Sequence, residues 1–280
     1  MSYPGKENFQ SNFIDKYQLI IDKYSSFFYI YTIYCYFCPV VFLINYQLIS
    51  MAKFIQFNNC VDCTCRNSIF NTLSAPELEI MNNNRYEVSF KPGEVMFKQG
   101  TPATHFLCLT KGLAKIYIEG YGKNLIIGLV KPVEYILGPG IYVDNRHHYS
   151  ASAIEDSTAC LVDVNTFKQM TRKNPDFAEE FIHRISLMTI FNFEQFISLT
   201  QKQMNGRIAD ALFYLSDQIY GCNPFESTIS RQDLADLSGM SKESAIRILK
   251  EFKDEGILTV QGNHVHILNP QQLKKISETG

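Results

Sequence analysis

Residues 86–164 break into short apolar runs separated by glycine-bearing turns, and no run between two turns is long enough to be a helix. Eight of the 15 glycines fall between Gly93 and Gly140. The turns are Lys91-Pro92-Gly93, Gln99-Gly100, Lys111-Gly112, Glu119-Gly120-Tyr121-Gly122 and Gly138-Pro139-Gly140. The runs between them are 94–98, 105–110, 113–119, 124–130, 149–154 and 158–164. Short strands at this spacing predict an all-β sandwich or barrel and exclude a βαβ layout, whose crossovers need helical segments. Just upstream, Ser74 and Glu77 have the spacing of a capping box and Pro76 suits a first helical turn, so a helix is expected from there to Asn82-Asn83-Asn84.

After Pro175 the period changes. Residues 176–203 contain no Gly or Pro and predict one long helix. Phe177, Phe181, Ile185, Met188, Gln195, Leu199 and Lys202 follow an approximate heptad seam, broken at Asn192. Glu194 is the sole charge between Ile185 and Thr200. A helix so apolar on several faces is expected to be covered on more than one side. It is also too long for the preceding sheet to cover alone, which favours self-association over a core helix. A second helix is expected over 207–219, with Ile208, Ala211, Leu212, Leu215 and Ile219 on one face.

Residues 228–268 carry the most specific pattern. Ser230 and Asp233 cap a short helix through Leu237, and Ser238-Gly239-Met240 makes a tight turn. A second helix runs from Ser241 to about Asp254, with Ala245, Ile248, Leu249 and Phe252 on its inner face. Glu243, Ile246, Arg247 and Lys250 form the opposite face. Gly256 ends it, and 257–261 and 264–268 flank Gly262-Asn263 as a hairpin. This is the pattern of a helix-turn-helix followed by a wing.

Such a helix enters the major groove by its N-terminal residues. Arg247 can donate twice to a guanine edge, Glu243 can accept from cytosine, and Ile246 can meet a thymine methyl. Ser241, Lys242, Lys250 and Arg231 are expected on phosphates. The net charge of −2 gives no global footprint for nucleic acid, so the case is local. Residues 229–268 hold five Lys/Arg against six Asp/Glu, which leaves a protein-binding helix-turn-helix as the alternative. Groove-facing charge outweighs that sum, and double-stranded DNA is the expected partner.

The glycine-punctuated β segment, the long helix and Asn205-Gly206-Arg207-Ile208-Ala209 with Leu212 form one part of a family signature. The stronger part is 230–233, 239–250 (Gly-Met-Ser-Lys-Glu-Ser-Ala-Ile-Arg-Ile-Leu-Lys) and Glu255-Gly256-Ile257. Together, residues 51–280 resemble the Crp/Fnr superfamily of bacterial transcription regulators, closer to the Fnr branch than to the cyclic-AMP binders. The resemblance implies an α+β chain with an N-terminal β-roll (a cyclic-nucleotide-binding-like jelly roll), a long dimerisation helix and a C-terminal winged helix-turn-helix. It implies a cytoplasmic homodimer on two DNA half-sites, with RNA polymerase as a further partner. It supports Glu243 and Arg247 as base readers and puts Lys242 where Arg is usual. Ile246 stands where the family often has Ser or Gly, so the half-site should differ. The expected divisions are 1–50 (extension), 51–73 (Cys-containing segment), 74–175 (sensor), 176–204 (dimerisation helix) and 205–280 (DNA reader).

Cyclic-nucleotide binders of this superfamily carry Gly-Glu and then Arg-Ser/Thr-Ala around the phosphate. Here the stretch reads Gly138-Pro139-Gly140 and His148-Tyr149-Ser150-Ala151, and Arg146 is displaced by two residues. A buried phosphate without a cation is costly, so cyclic AMP is disfavoured. Sulfur is the stronger lead. The Fnr branch ligates an iron–sulfur cluster with N-terminal cysteines plus one in the segment matching 153–160. Cys60, Cys63 and Cys160 match that pattern, and Cys65 follows Cys63 more closely than the family spaces it. An iron–sulfur cluster on Cys60, Cys63, Cys65 and Cys160 is the expected cofactor, since such a cluster takes four thiolates. Zinc on the same four, a thiol switch, or no metal role are the alternatives, as is a roll binding a small effector without metal. Cys108 and Cys222 read as simple core or surface residues, and His147 and His148 as loop histidines.

Residues 1–50 differ from the rest, with 14 of the Phe and Tyr residues and no charge from Tyr24 to Ala52. A start set upstream of Met51 is the favoured explanation. A membrane anchor over 24–50, tethering a ligand-binding module, is the alternative, although Pro39 interrupts that run. No nucleophile–base pair or phosphate loop of standard form occurs, so no enzyme is expected.

Overall fold

A computed structural model describes residues 59, 60, 63, 66 and 68–280. Both readings of residues 1–50, and the position of Cys65, lie outside the described residues. Two short helices, α1 (Ser68–Asn71) and α2 (Ala75–Asn83), precede the sheets. Ser74 and Glu77 form the expected capping box, with Glu77 accepting from the Ser74 N–H at 2.9 Å.

Eight strands follow: β1 (Arg85–Phe90), β2 (Val95–Phe97), β3 (His105–Lys111), β4 (Ala114–Glu119), β5 (Asn124–Val130), β6 (Tyr135–Ile136), β7 (Ser150–Ala153) and β8 (Ser157–Asp163). They make two antiparallel four-stranded sheets, ordered β1-β8-β3-β6 and β2-β7-β4-β5, which face each other as a β-roll. The inter-sheet layer holds Leu107, Leu109, Ile116, Val130 and Tyr149. On β3 the four residues Phe106, Leu107, Cys108 and Leu109 are all buried. Leu107 and Leu109 face the second sheet, whereas Phe106 and Cys108 belong to an outer layer under the helices. A strand covered on both faces loses the polar alternation that would mark it in a sequence.

Helix α3 (Val164–Lys173) and the start of α4 (Pro175–Gln201) close that outer layer. Phe106, Phe167, Phe177 and Phe181 meet there edge to face, with Phe167 and Phe181 centroids 5.0 Å apart. Helix α5 (Met204–Phe213) then runs into a π-helical turn (Tyr214–Ile219). The C-terminal part contains α6 (Arg231–Leu237), α7 (Lys242–Asp254) and α8 (Pro270–Thr279). A three-stranded sheet ordered β10 (Leu258–Gln261), β11 (His264–Ile267), β9 (Phe225–Glu226) forms the wing. Gly262 at φ 61° starts the wing turn, as the Gly-Asn pair predicts.

The long helix departs from its expected seam. Phe177 and Phe181 are buried against the chain's own roll, and Lys202 pairs with Asp210 at 2.8 Å. Of the seam only Ile185 stands open to solvent, beside Ile182, Leu187, Ile190, Phe193, Phe196 and Ile197 outside it. The helix is apolar nearly all round, so its period alone does not say which face its own roll takes.

Candidate functional site

Ser230 accepts from the Asp233 N–H at 3.0 Å and starts α6, while Gly239 takes φ 62° in the turn. Ser241 then accepts from the Ser244 N–H at 3.2 Å and starts α7. Ala245, Ile248, Leu249 and Phe252 are buried in the core beneath, as the pattern predicts. Ser241, Lys242, Glu243, Ile246, Arg247 and Lys250 are all exposed, and Arg231 is half-buried on the preceding helix. Ile246 is 46% exposed, a β-branched apolar side chain held in water beside Arg247. Arg247 donates to Glu251 one turn on, at 2.6 Å. The backbone at Glu243 and the nearby Ser241 hydroxyl hold the Glu243 carboxyl below the usual value and so ionised as an acceptor. The helix N-terminus therefore offers free N–H groups, a cation and mixed donor and acceptor side chains on one open face.

The reader is tied to the roll. Its core continues through Leu234, Ala235 and Leu212 onto Leu113, Tyr117, Ile126 and Leu129 of the roll. Lys115 on β4 donates to Asp233 on α6, with side chains 25% and 12% exposed. The Tyr214 hydroxyl accepts from the Leu129 N–H at 3.0 Å. At the far end of α4, Asp210 accepts from Ser198 at 2.6 Å and from Lys202 at 2.8 Å.

In the roll, the stretch that would grip a phosphate is occupied by its own neighbours. Arg146 donates to the Gly100 carbonyl at 2.7 Å. Ser150 donates to Glu119 at 2.6 Å and accepts from the Gln99 N–H at 2.8 Å. His147 and His148 both lie between strands, as expected, but differ in surroundings. His147 is 7% exposed and stacks on Phe97 at 3.9 Å, and burial lowers its pKa. His148 is exposed beside Asp144. A cavity of about 230 Å³ lies between the roll and α4, lined by Ile116, Gly128, Tyr135, Tyr149, Arg184 and Phe191 among others.

Cys60, Cys63 and Cys160 line one apolar pocket, and Cys108, which sequence reasoning set aside, lines it too. Cys108 is a buried core residue, as expected, and sits directly opposite Cys160 on β3 and β8. Arg85 donates to the Cys160 sulfur at 3.1 Å. Burial raises the Cys60 thiol, pushes Cys108 well up and takes Cys160 to about 11 despite the opposing Arg85 charge. As folded these are neutral thiols, the opposite of the lowered pKa that an activated thiol switch needs. Soft sulfur donors beside a cation suit a thiolate-bound metal or cluster in kind. Among the described residues, however, no group of three Cys, His, Asp or Glu side chains is gathered closely enough to hold a metal ion as it stands. Cys222 is exposed in the reader, away from this pocket.

A β-roll joined by a long helix to a winged helix-turn-helix is the architecture of a DNA-binding regulator. The comparisons agree. Residues 87–174 match the family described as cyclic nucleotide-binding domain, and 206–276 match the Crp-like helix-turn-helix domain. The nitrogen fixation regulation protein FixK of Bradyrhizobium diazoefficiens is 23% identical over 228 residues, covering 78% of this chain and 93% of that protein. The fumarate and nitrate reduction regulatory protein of Escherichia coli is 25% identical over 230 residues, covering 78% and 90%. The structure of FixK2 from Bradyrhizobium japonicum superposes with TM-score 0.64 at 20% identity, covering 70% of this chain and 98% of that one. The chain pairs a cyclic nucleotide-binding domain with a Crp-like helix-turn-helix domain and is a Crp/Fnr-type DNA-binding transcription regulator.

Proposed function

We propose that this regulator acts as a cytoplasmic homodimer that reads two DNA half-sites about 34 Å apart on one face of the duplex. The observation carrying this is the open face of α7: Glu243, Ile246 and Arg247 stand exposed while the opposite face anchors the helix in the core. Glu243 and Arg247 read base edges, Ile246 meets a thymine methyl, and Ser241, Lys242, Lys250 and Arg231 hold phosphates. The row Ile182, Ile190, Phe193 and Phe196 supports the dimer, since these side chains are between 54% and 62% exposed and apolar. A contact with RNA polymerase is what its family membership implies for a bound dimer.

The sensed signal is read at the thiol pocket. Cys60, Cys63 and Cys160, with Cys65 as the fourth ligand expected from the sequence, would hold an iron–sulfur cluster or a zinc ion there. A bound cluster would supply sensitivity to oxygen or redox state. A second reading, a small effector in the cavity beside α4, is favoured by one observation: the buried Tyr135 hydroxyl there has no hydrogen-bond partner. Cyclic AMP is disfavoured, because Arg146 is engaged outside the cassette.

The test of DNA reading is a gel shift on genomic fragments with Arg247→Ala and Glu243→Ala. Loss of a bidentate contact costs about 1–3 kcal/mol per half-site, so each variant should weaken specific binding at least tenfold. Unchanged binding by both variants overturns the reading.

A further inference from the structure

We infer that Asp210 is a positioning residue for DNA reading: its carboxylate fixes the angle between α4 and the reader without itself touching DNA. The inference rests on the proposed dimer on two half-sites. Helix α4 ends at Gln201 and α5 starts at Met204, so only Lys202 and Gln203 connect them. Lys202 at φ −92°, ψ 148° and Gln203 at φ −70°, ψ 168° are both extended, and their soft dihedrals set the turn between the helices. The backbone bonds at this corner run from the Lys202 N–H to the Ser198 carbonyl and from the Arg207 N–H to the Gln203 carbonyl. Each stays within one helix end and does not tie α4 to α5. Apolar packing ties them weakly. The buried residues of α4 are Phe177, Phe181 and Ser198, and both phenylalanines lie at its other end. Phe191 meets Tyr214 at 5.4 Å, but both rings are only half-buried.

The buried residue near the corner is therefore polar. The Ser198 hydroxyl, 8% exposed as a residue, donates to one Asp210 oxygen at 2.6 Å. Lys202, in the connection itself, donates to the other oxygen at 2.8 Å. Ser277 on α8 donates to that second oxygen at 2.5 Å and accepts from Lys202 at 3.3 Å. One carboxylate thus joins the end of α4, the connection and two helices of the reader. Helix α8 is fixed in turn, because Leu273 is buried in the same core as Ile208 and Ala211 of α5. Hydrogen bonds to an ionised group are stronger than neutral ones and hold their geometry. A cavity of about 420 Å³ opens beside the corner, lined by Phe191, Glu194, Lys202, Asp210, Phe213 and Ser277 among others. The neighbours leave the corner room to bend, so the polar cluster is what sets the angle. That angle matters because the two half-sites lie one helical turn apart. One base pair more or less turns the second half-site by roughly 35° about the duplex axis.

The experiment uses the full chain and a two-half-site duplex selected from random DNA by the wild type. The same duplex with one base pair added or removed between the half-sites, and a single half-site, complete the set. Binding of the wild type and Asp210→Asn is measured by fluorescence anisotropy, with far-UV circular dichroism as the check on folding. The wild type should lose about tenfold in affinity when the spacing changes, and Asp210→Asn at most about threefold. Both should bind the single half-site equally, since α7 is untouched. An unchanged spacing preference in Asp210→Asn overturns the inference and leaves DNA reading intact. Single half-site binding that falls along with the rest shows a damaged reader and overturns it too. A wild type that selects no two-half-site duplex overturns the dimeric reading, and this inference with it. If Asp210→Asn does not fold, Ser277→Ala and Lys202→Met decide, since each removes one donor and leaves the carboxylate in place. A relaxed spacing preference in either supports Asp210, and an unchanged one in both refutes it.

Discussion

Replacing Lys115 by Met should loosen the reader from the roll. Lys115 is the β4 side of an ion pair whose other side, Asp233, is the third helical residue of the α6 capping box that Ser230 opens. Asp233 accepts from the Ser230 N–H at 3.0 Å and from its hydroxyl at 2.6 Å. Breaking a fully buried pair costs about 3–5 kcal/mol. Here the side chains keep 25% and 12% of their exposure and the two Ser230 bonds survive, so the expected cost is lower, about 2–3 kcal/mol. For a protein of this size that corresponds to a fall in Tm of about 4–12 °C. The pH dependence follows from Asp233. Burial pushes its carboxyl up, but the Lys115 and Ser230 bonds outweigh burial and leave its pKa below the usual value. A depressed carboxyl contributes stability above its unfolded pKa and loses it as pH falls through the folded value. Lys115→Met removes the main depressing partner, so the wild type's advantage over the variant should be full near pH 7 and shrink as pH falls through the folded Asp233 value, leaving the variant with the flatter acid limb. The assay is urea unfolding from pH 3 to 7 with a double-mutant cycle against Asp233→Asn. A cost below about 0.5 kcal/mol with additive single effects would refute a working Lys115–Asp233 contact.

Glu251→Gln should tighten DNA binding, because it frees Arg247 from a 2.6 Å partner before the groove is entered. An exposed i,i+4 pair is worth about 0.3–0.5 kcal/mol, so a dimer gains about three- to fivefold in Kd by fluorescence anisotropy; weaker binding would count against Arg247 as a base reader. Gly239→Ala should destabilise the reader by about 1–3 kcal/mol in thermal unfolding, since φ is positive there. The new Cβ would also stand 2.6 Å from the Leu199 side chain on α4. Phe193→Glu places a charge in the exposed apolar row of α4 and should shift the protein to monomer in sedimentation velocity at unchanged circular dichroism. A dimer that persists would move the interface elsewhere.

The reading helix was legible because its signals agree. Ser241 caps it, Gly239 turns before it, and its apolar positions fall on one stripe with a polar opposite face. The roll was legible from its turns more than from its strands. β6 and β9 are two residues each, too short to carry a period, and β3 is covered on both sides. The thiol pocket was half legible. Cys60 and Cys63 announce themselves by spacing, whereas Cys108 reaches Cys160 through strand pairing 52 positions apart, and one sequence holds no register information at that range. The long helix was legible from its excess of apolar residues, but which face meets its own roll was not, because the period fixes which residues share a face and not what lies opposite.

Under the proposed function, helix α4 is where sensing and reading have to meet. Its first turns carry Phe177 and Phe181 into the same core layer as Cys108 and Cys160. Its middle presents the open apolar row, and its last turns reach the reader through Ser198 on Asp210 and Leu199 beside Gly239. At 27 residues it spans about 40 Å, and it is uninterrupted by Gly or Pro after its first residue, so it moves as a stiff rod. A change of packing around the sulfurs therefore cannot be absorbed locally at Phe177 without displacing something along the rod. In the proposed dimer the apolar row, covered by a second copy, resists that displacement, while the polar ties at Asp210 are few and partly exposed. The compliant end is the reader end. Coupling in this chain then requires two discrete positions of the α4–α5 junction, both biased by the pocket, and the Lys115–Asp233 contact is the independent tether that sets how far the reader follows.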